Sequence, residues 1–225
     1  ANLTIRADTL IIYVGASDLS AQGAIGIGGT GFGVSGTTAW VNLVVGRGEP
    51  GAIATPATDN APWGGYLSFD INTTWFFGET TTGLDVGDQS DFRSVAEHEL
   101  GHVLGIGTAN SWDALVLNGK FTGPASVAEY DLAGNVPLDP GHGHWASGTT
   151  DNGQETAMDP VLTSGTRKLF MPLDFAALTD IGGQVSAVAA AMDFGDAPTA
   201  AQSGFTASYP TTLANNGARH VLVGP

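Results

Sequence analysis

The chain has 225 residues, of which 42% are hydrophobic and only 13% charged, and it carries a net charge of −15. Such acidity, with seven Lys and Arg in all, excludes the basic patches that nucleic-acid binding requires and gives little purchase on an anionic membrane. There are no cysteines, so neither a disulfide framework nor a thiolate metal site can form. No apolar run approaches the ~20 residues of a membrane span.

Residues 3–14 (LTIRADTLIIYV) combine β-branched residues with partial alternation and predict one or two strands. Residues 24–36 are glycine-dense but lack the Gly-Lys-Ser/Thr ending of a phosphate loop, so a flexible or calcium-ordered loop is expected. Residues 39–45 (AWVNLVV) predict a strand closed by Gly46, Gly48 and Pro50. In residues 65–71, Tyr66, Ser68 and Asp70 alternate with Leu67, Phe69 and Ile71, as in a half-buried strand. A polar turn then carries Asp85, Asp88 and Asp91, read as a solvated acidic loop with structural Ca²⁺ as the alternative. Ser90 or Asp91 is the expected N-cap of a helix that Gly105 ends.

That helix contains His98-Glu99-Leu100-Gly101-His102. Histidines four residues apart share one side of a helix, so both imidazoles can grip a single ion. The carboxylate between them is placed to act as general base on a metal-activated water. With five histidines in 225 residues, random order yields such a match on the order of 0.003 times per chain. Phe92, Ala96, Leu100 and Val103 fall on the opposite face, which leaves the histidines turned toward a cleft.

A durable catalytic zinc site has three protein ligands and an open position. The extended pattern HExxHxxGxxH is followed as far as Gly105, but its last position holds Thr108. A neutral hydroxyl is a poor zinc ligand. The third ligand must come from elsewhere, and His144, His142, Glu129, Asp113 and His220 are the candidates.

The segment HELGHVLGIGT, residues 98–108, resembles the leishmanolysin-like metzincins and related secreted bacterial metalloproteases. Phe121-Thr122-Gly123, Val136-Pro137, His144-Trp145, Met158-Asp159-Pro160 and the run LDFAALTDIG (173–182) resemble further landmarks of that group, in the same order. The likeness covers about residues 11–185. It implies His144 as the third zinc ligand, with His142 as the alternative, and Met158 as the Met-turn residue beneath the metal, ahead of Met171. It implies an α+β, two-lobed, metzincin-like catalytic domain: a twisted mixed sheet and the active-site helix above, an irregular lower lobe with the Met-turn and a C-terminal helix below. The function implied is a secreted bacterial Zn²⁺ endopeptidase, extracellular or at the cell surface and monomeric, that acts on protein or peptide substrates. An edge strand within residues 65–71 is expected to hold the peptide in register. Residues 186–225 read as a linker or the start of a further module. Thr108 also motivates a rival, a secreted binding or adhesion module that keeps the fold without hydrolysis.

Overall fold

In the computed structural model the described residues are 9–31, 33–84 and 88–185, with the backbone of residues 192–193 and 220–221. The chain divides into two units, residues 1–185 and 186–225. The predicted strand positions before residue 9 lie outside the described residues, as does Asp85.

The first unit begins with strand β1 (Ile11–Ser17), strand β2 (Gly26–Thr30), helix α1 (Thr38–Gly46) and strand β3 (Gly64–Asp70). The strands form one sheet in the order β1-β3-β2, with β1 parallel and β2 antiparallel to β3. The alternation read at 65–71 holds for Leu67 and Phe69, which are buried, but fails at its end, where Asp70 is buried and Ile71 lies exposed beyond the strand. β3 is nevertheless the central strand, not an edge. The edges are β1 and β2, and β2 lies in the glycine-dense segment expected to be a loop. Its glycines let a backbone lie flush on the helix beneath it. A Cβ at Gly28 would stand 2.4 Å from the Glu99 carbonyl oxygen, and one at Gly26 would stand 2.5 Å from a Val95 methyl.

Helix α1 replaces the strand predicted at 39–45. β-branched and aromatic residues favour strands only where a pleated surface receives them, and here local capping decides. The Thr37 side chain accepts a hydrogen bond from Trp40 N, and Arg47 takes the left-handed conformation past the helix end, with φ 46°. The Arg47 guanidinium then donates to the carbonyls of Thr9 and Pro62, tying the helix end to the sheet.

Two short strands, β4 (Trp75–Phe76) and β5 (Ser90–Asp91), pair in parallel and lead into helix α2 (Phe92–Leu104). Asp91 is its N-cap and accepts from Ser94 N. Gly105, at φ 115°, ends the helix, its N–H donating to the Gly101 and His102 carbonyls, while Asn60 Nδ2 satisfies the Leu104 carbonyl. Asp91 is also held by Arg167 at 2.7 Å, so a carboxylate that raised calcium is committed to capping and ion pairing.

Helix α2 separates two hydrophobic clusters. Above it, Leu67 and Phe69 pack on Val95 and Val103, with Phe92, Ala96 and Leu100 beside them. Below it, a larger cluster runs from Ile106 through Trp112, Phe121, Trp145 and Met158 to Leu173 and Ile181. Burying a side chain of this size stabilises by about 1.5–3 kcal/mol. The chain below comprises α3 (Asn110–Asp113), a small sheet of β6 (Val116–Leu117), β7 (Lys120–Phe121) and β8 (Val136–Pro137), and α4 (Pro124–Glu129). A two-residue hairpin, β9 (Thr150–Asp151) with β10 (Gln154–Glu155), and helix α5 (Pro172–Asp180) follow. In the second unit β11 (Met192–Asp193) pairs antiparallel with β12 (His220–Val221). The fold is α+β, and no helix among the described residues is long and apolar enough to cross a membrane.

Candidate metal centre

The α-helical period puts His98 and His102 one turn apart on α2, and a loop from the lower part of the unit brings His144 to them. One ligand atom of each imidazole lies within 4.8 Å of the other two. The rings of His98 and His144 stack at 4.9 Å, and that of His102 stands nearly perpendicular to both.

The hydrogen bonds fix which nitrogen each ring offers. His98 Nδ1 lies 2.7 Å from the Ala157 carbonyl oxygen, and His102 Nδ1 lies 2.9 Å from that of Ile106. A carbonyl only accepts, so each Nδ1 carries the hydrogen and each Nε2 keeps its lone pair. His144 Nε2 is 3.0 Å from His102 Nε2. Two nitrogens on one tetrahedral zinc stand about 3.3 Å apart, so the pair needs to open by only about 0.3 Å. Three converging imidazole nitrogens suit Zn²⁺ and other borderline divalent metals.

Burial, with the neighbouring histidines, lowers His98 to about 3, and burial lowers His102 to about 4. Burial also lowers His144, against the pull of Asp139. The cluster is therefore held as neutral imidazole, the form that binds metal. Glu99, 6% exposed, is pushed up to about 7 by burial, opposed by a hydrogen bond from the Gly28 backbone.

The loop that delivers His144 is built by contacts distant in sequence. Leu138 and Trp145 form an isolated bridge, and Trp112 Nε1 donates to the His142 carbonyl at 2.8 Å. Gly107 lets the loop approach the end of α2: a Cβ there would stand 2.0 Å from the Gly143 carbonyl oxygen. Trp145 Nε1 donates to Asp174 Oδ1 at 2.9 Å. Asp174 also accepts from Ala157 N at 3.0 Å and Met171 N at 2.9 Å, so one buried carboxylate ties α5 to the segments holding His98 and His144. Burial pushes it up to about 6, although the N–H donors around it pull the other way.

Met158 is fully buried under α2, where a Cβ at Gly101 would stand 2.3 Å from its sulfur. The glycine between the histidines thus makes room for that methionine, whereas Met171 is the N-cap of α5. His142, the alternative ligand, is exposed at φ 58° and stands outside the cluster. Glu129 ends α4 and Asp113 ends α3, both exposed; the His220 side chain lies outside the described residues. Thr108 bonds the His102 carbonyl at 2.6 Å, so it serves the helix end.

The cluster opens into a cleft of about 400 Å³. Gly23 to Gly28 line one side, and Ala157, Pro160, Leu162 and Lys168 the other. Lys168, 4% exposed, is neutralised there by Asp159 and Glu155, each at 3.1 Å, and by the Val161 carbonyl. Sequence reasoning missed Asp139, Asp174 and this ion cluster, because none of them shares a local pattern with the histidines. Comparison with known proteins finds no matching protein-family model, and no matching curated protein or solved structure.

Proposed function

We propose that the chain is a metzincin-like zinc endopeptidase, secreted and acting on extended protein or peptide substrates. The observation that carries this reading is the convergence of three imidazoles beside a buried Glu99 at the wall of an open cleft. His98, His102 and His144 would hold the metal, which supplies a Lewis acid that polarises the scissile carbonyl and makes water acidic near neutral pH.

The remaining work belongs to the chain. Glu99 takes a proton from the attacking water and delivers it to the departing amine. It lines the same cleft as the three histidines, and the Gly28 N–H fixes the carboxylate against β2. The β2–β3 ladder sets the rest. Ile25 and Gly31 bond toward β3, so alternation directs the N–H and C=O groups of Gly26 and Thr30, with the Gly28 C=O, away from it. That outer edge borders the cleft and offers an extended peptide the pairing first assigned to residues 65–71.

The test is metal content together with cleavage of an unstructured protein, for wild type, Glu99→Ala and His144→Ala. Wild type should carry one Zn²⁺ and cleave. Glu99→Ala should keep the metal without cleaving, and His144→Ala should lose both. A wild type that holds zinc and cleaves nothing would instead support the binding module.

A further inference from the structure

The three imidazoles differ in what holds the nitrogen turned away from the metal position. For His98 and His102 it is a backbone carbonyl. For His144 the facing group is a carboxylate: Asp139 Oδ2 lies 3.7 Å from Nδ1, just beyond hydrogen-bond length, while Nε2 faces His102. Asp139 is fixed where it stands. Its Oδ1 accepts from His144 N at 3.0 Å and its Oδ2 from Gly141 N at 3.1 Å. Its backbone N–H donates to the His144 carbonyl, and its own carbonyl accepts from His142 N. The carboxylate cannot leave the imidazole without opening the loop.

We propose that Asp139 is the positioning residue of this metal centre: it orients the His144 ring, sets Nε2 as the ligating atom and adds the negative charge that raises ligand basicity. The inference rests on the metal-centre reading above. A carboxylate behind a ligating histidine is a general means of fixing ring orientation, and its loss costs 10- to 100-fold in metal affinity. His144 needs it more than the other two ligands do, because it sits on a loop and not on a helix. Asp139→Asn keeps one acceptor but turns a donor or a neutral oxygen toward Nδ1–H.

The experiment compares wild type and Asp139→Asn, using Zn²⁺ alone as the probe. Zinc affinity is measured by competition with a chromophoric chelator, and the His144 Nδ1–H proton is followed by NMR in the zinc form. The expected result is a wild-type Nδ1–H resonance that is shifted downfield and protected from exchange. In Asp139→Asn that signature should be lost and affinity should fall roughly 10- to 100-fold, more than the accompanying fall in the thermal midpoint of the metal-free protein accounts for. Unchanged affinity and resonance would overturn the proposal, as would an affinity loss that only tracks lost stability of the metal-free fold. Should Asp139→Asn not fold, the wild-type resonance decides: fast exchange at Nδ1–H overturns the proposal and protection supports it. A wild type that takes up no Zn²⁺ removes the metal centre itself, and this inference with it.

Discussion

Helix α2 and the 138–145 loop supply the same cluster by opposite means. On α2, His98, Glu99 and His102 are spaced by the helix itself, and the caps that hold it, Asp91 and Gly105, adjoin its ends. The loop has no periodic backbone. It takes its shape from Asp139 within, from Trp112 30 residues away and from Asp174 29 residues beyond Trp145. A helix delivers its side chains with geometry already set, whereas a loop must have each ligand fixed by buried polar groups. The two halves should therefore fail differently when mutated.

On the helix side, chemistry can be removed without disturbing the fold. Glu99→Ala should lower the rate of peptide hydrolysis by about 10²–10⁴-fold, with zinc content and thermal midpoint near wild type. On the loop side the same kind of change should damage the fold first. Asp174→Ala would strip acceptors from Trp145 Nε1, Ala157 N and Met171 N in a fully buried place. Leaving such donors unpaired should cost about 3 kcal/mol or more in urea unfolding, and zinc affinity should fall with it. If Asp174→Ala were as stable as wild type, the contrast between the halves would be wrong.

The glycines sharpen the contrast, because what each one faces can be compared. A Cβ at Gly28 meets the backbone carbonyl of Glu99, and one at Gly101 meets the sulfur of Met158. Backbone cannot step aside, but a methionine can change rotamer. Gly101→Ala should cost about 1–3 kcal/mol and Gly28→Ala more, the latter also lowering the rate by displacing Glu99. Equal unfolding midpoints for the two variants would contradict this ordering.

Legibility in the sequence followed the same division. His98, Glu99, His102, the caps of α2 and the alternation in β3 are short-range patterns, and they could be read from residues alone. His144 was one candidate among five and could be singled out only through its likeness to other chains, because nothing local separates it from His142; the fold separates them by turning one imidazole inward and leaving the other at φ 58° on the surface. Strand β2 was hidden because glycine has low strand propensity. Its glycines answer to the closeness of α2, a tertiary fact. Helix α1 was misread because Trp40, Val41, Leu43, Val44 and Val45 suggest a strand, while the capping Thr37 and the left-handed Arg47 decide for a helix.

The smallest expected effect is a near absence of one. Imidazoles with ordinary values near 6.5 compete with metal for protons below neutrality, and three of them would forfeit on the order of 10⁴ in affinity between pH 7 and pH 5. Here burial holds His98 at about 3 and His102 at about 4, so at pH 5 neither has a proton to lose to the metal. His144 is lowered as well, which keeps its share below the roughly 30-fold of one ordinary imidazole. Zinc affinity measured at pH 5 and pH 7 should therefore differ by less than that factor. The metal-free fold should behave in the opposite way. A folded-state pKa below the unfolded one gives stability that is complete above about 6.5 and is lost as pH falls from there toward 3. Urea midpoints of the metal-free protein should decline across that window, and those of the zinc form, which unfolds to the same protonated chain, should decline in parallel from a higher starting value. A loss of 10³ or more in zinc affinity at pH 5 would mean that the histidines on α2 are as exposed to protons as those of a loop.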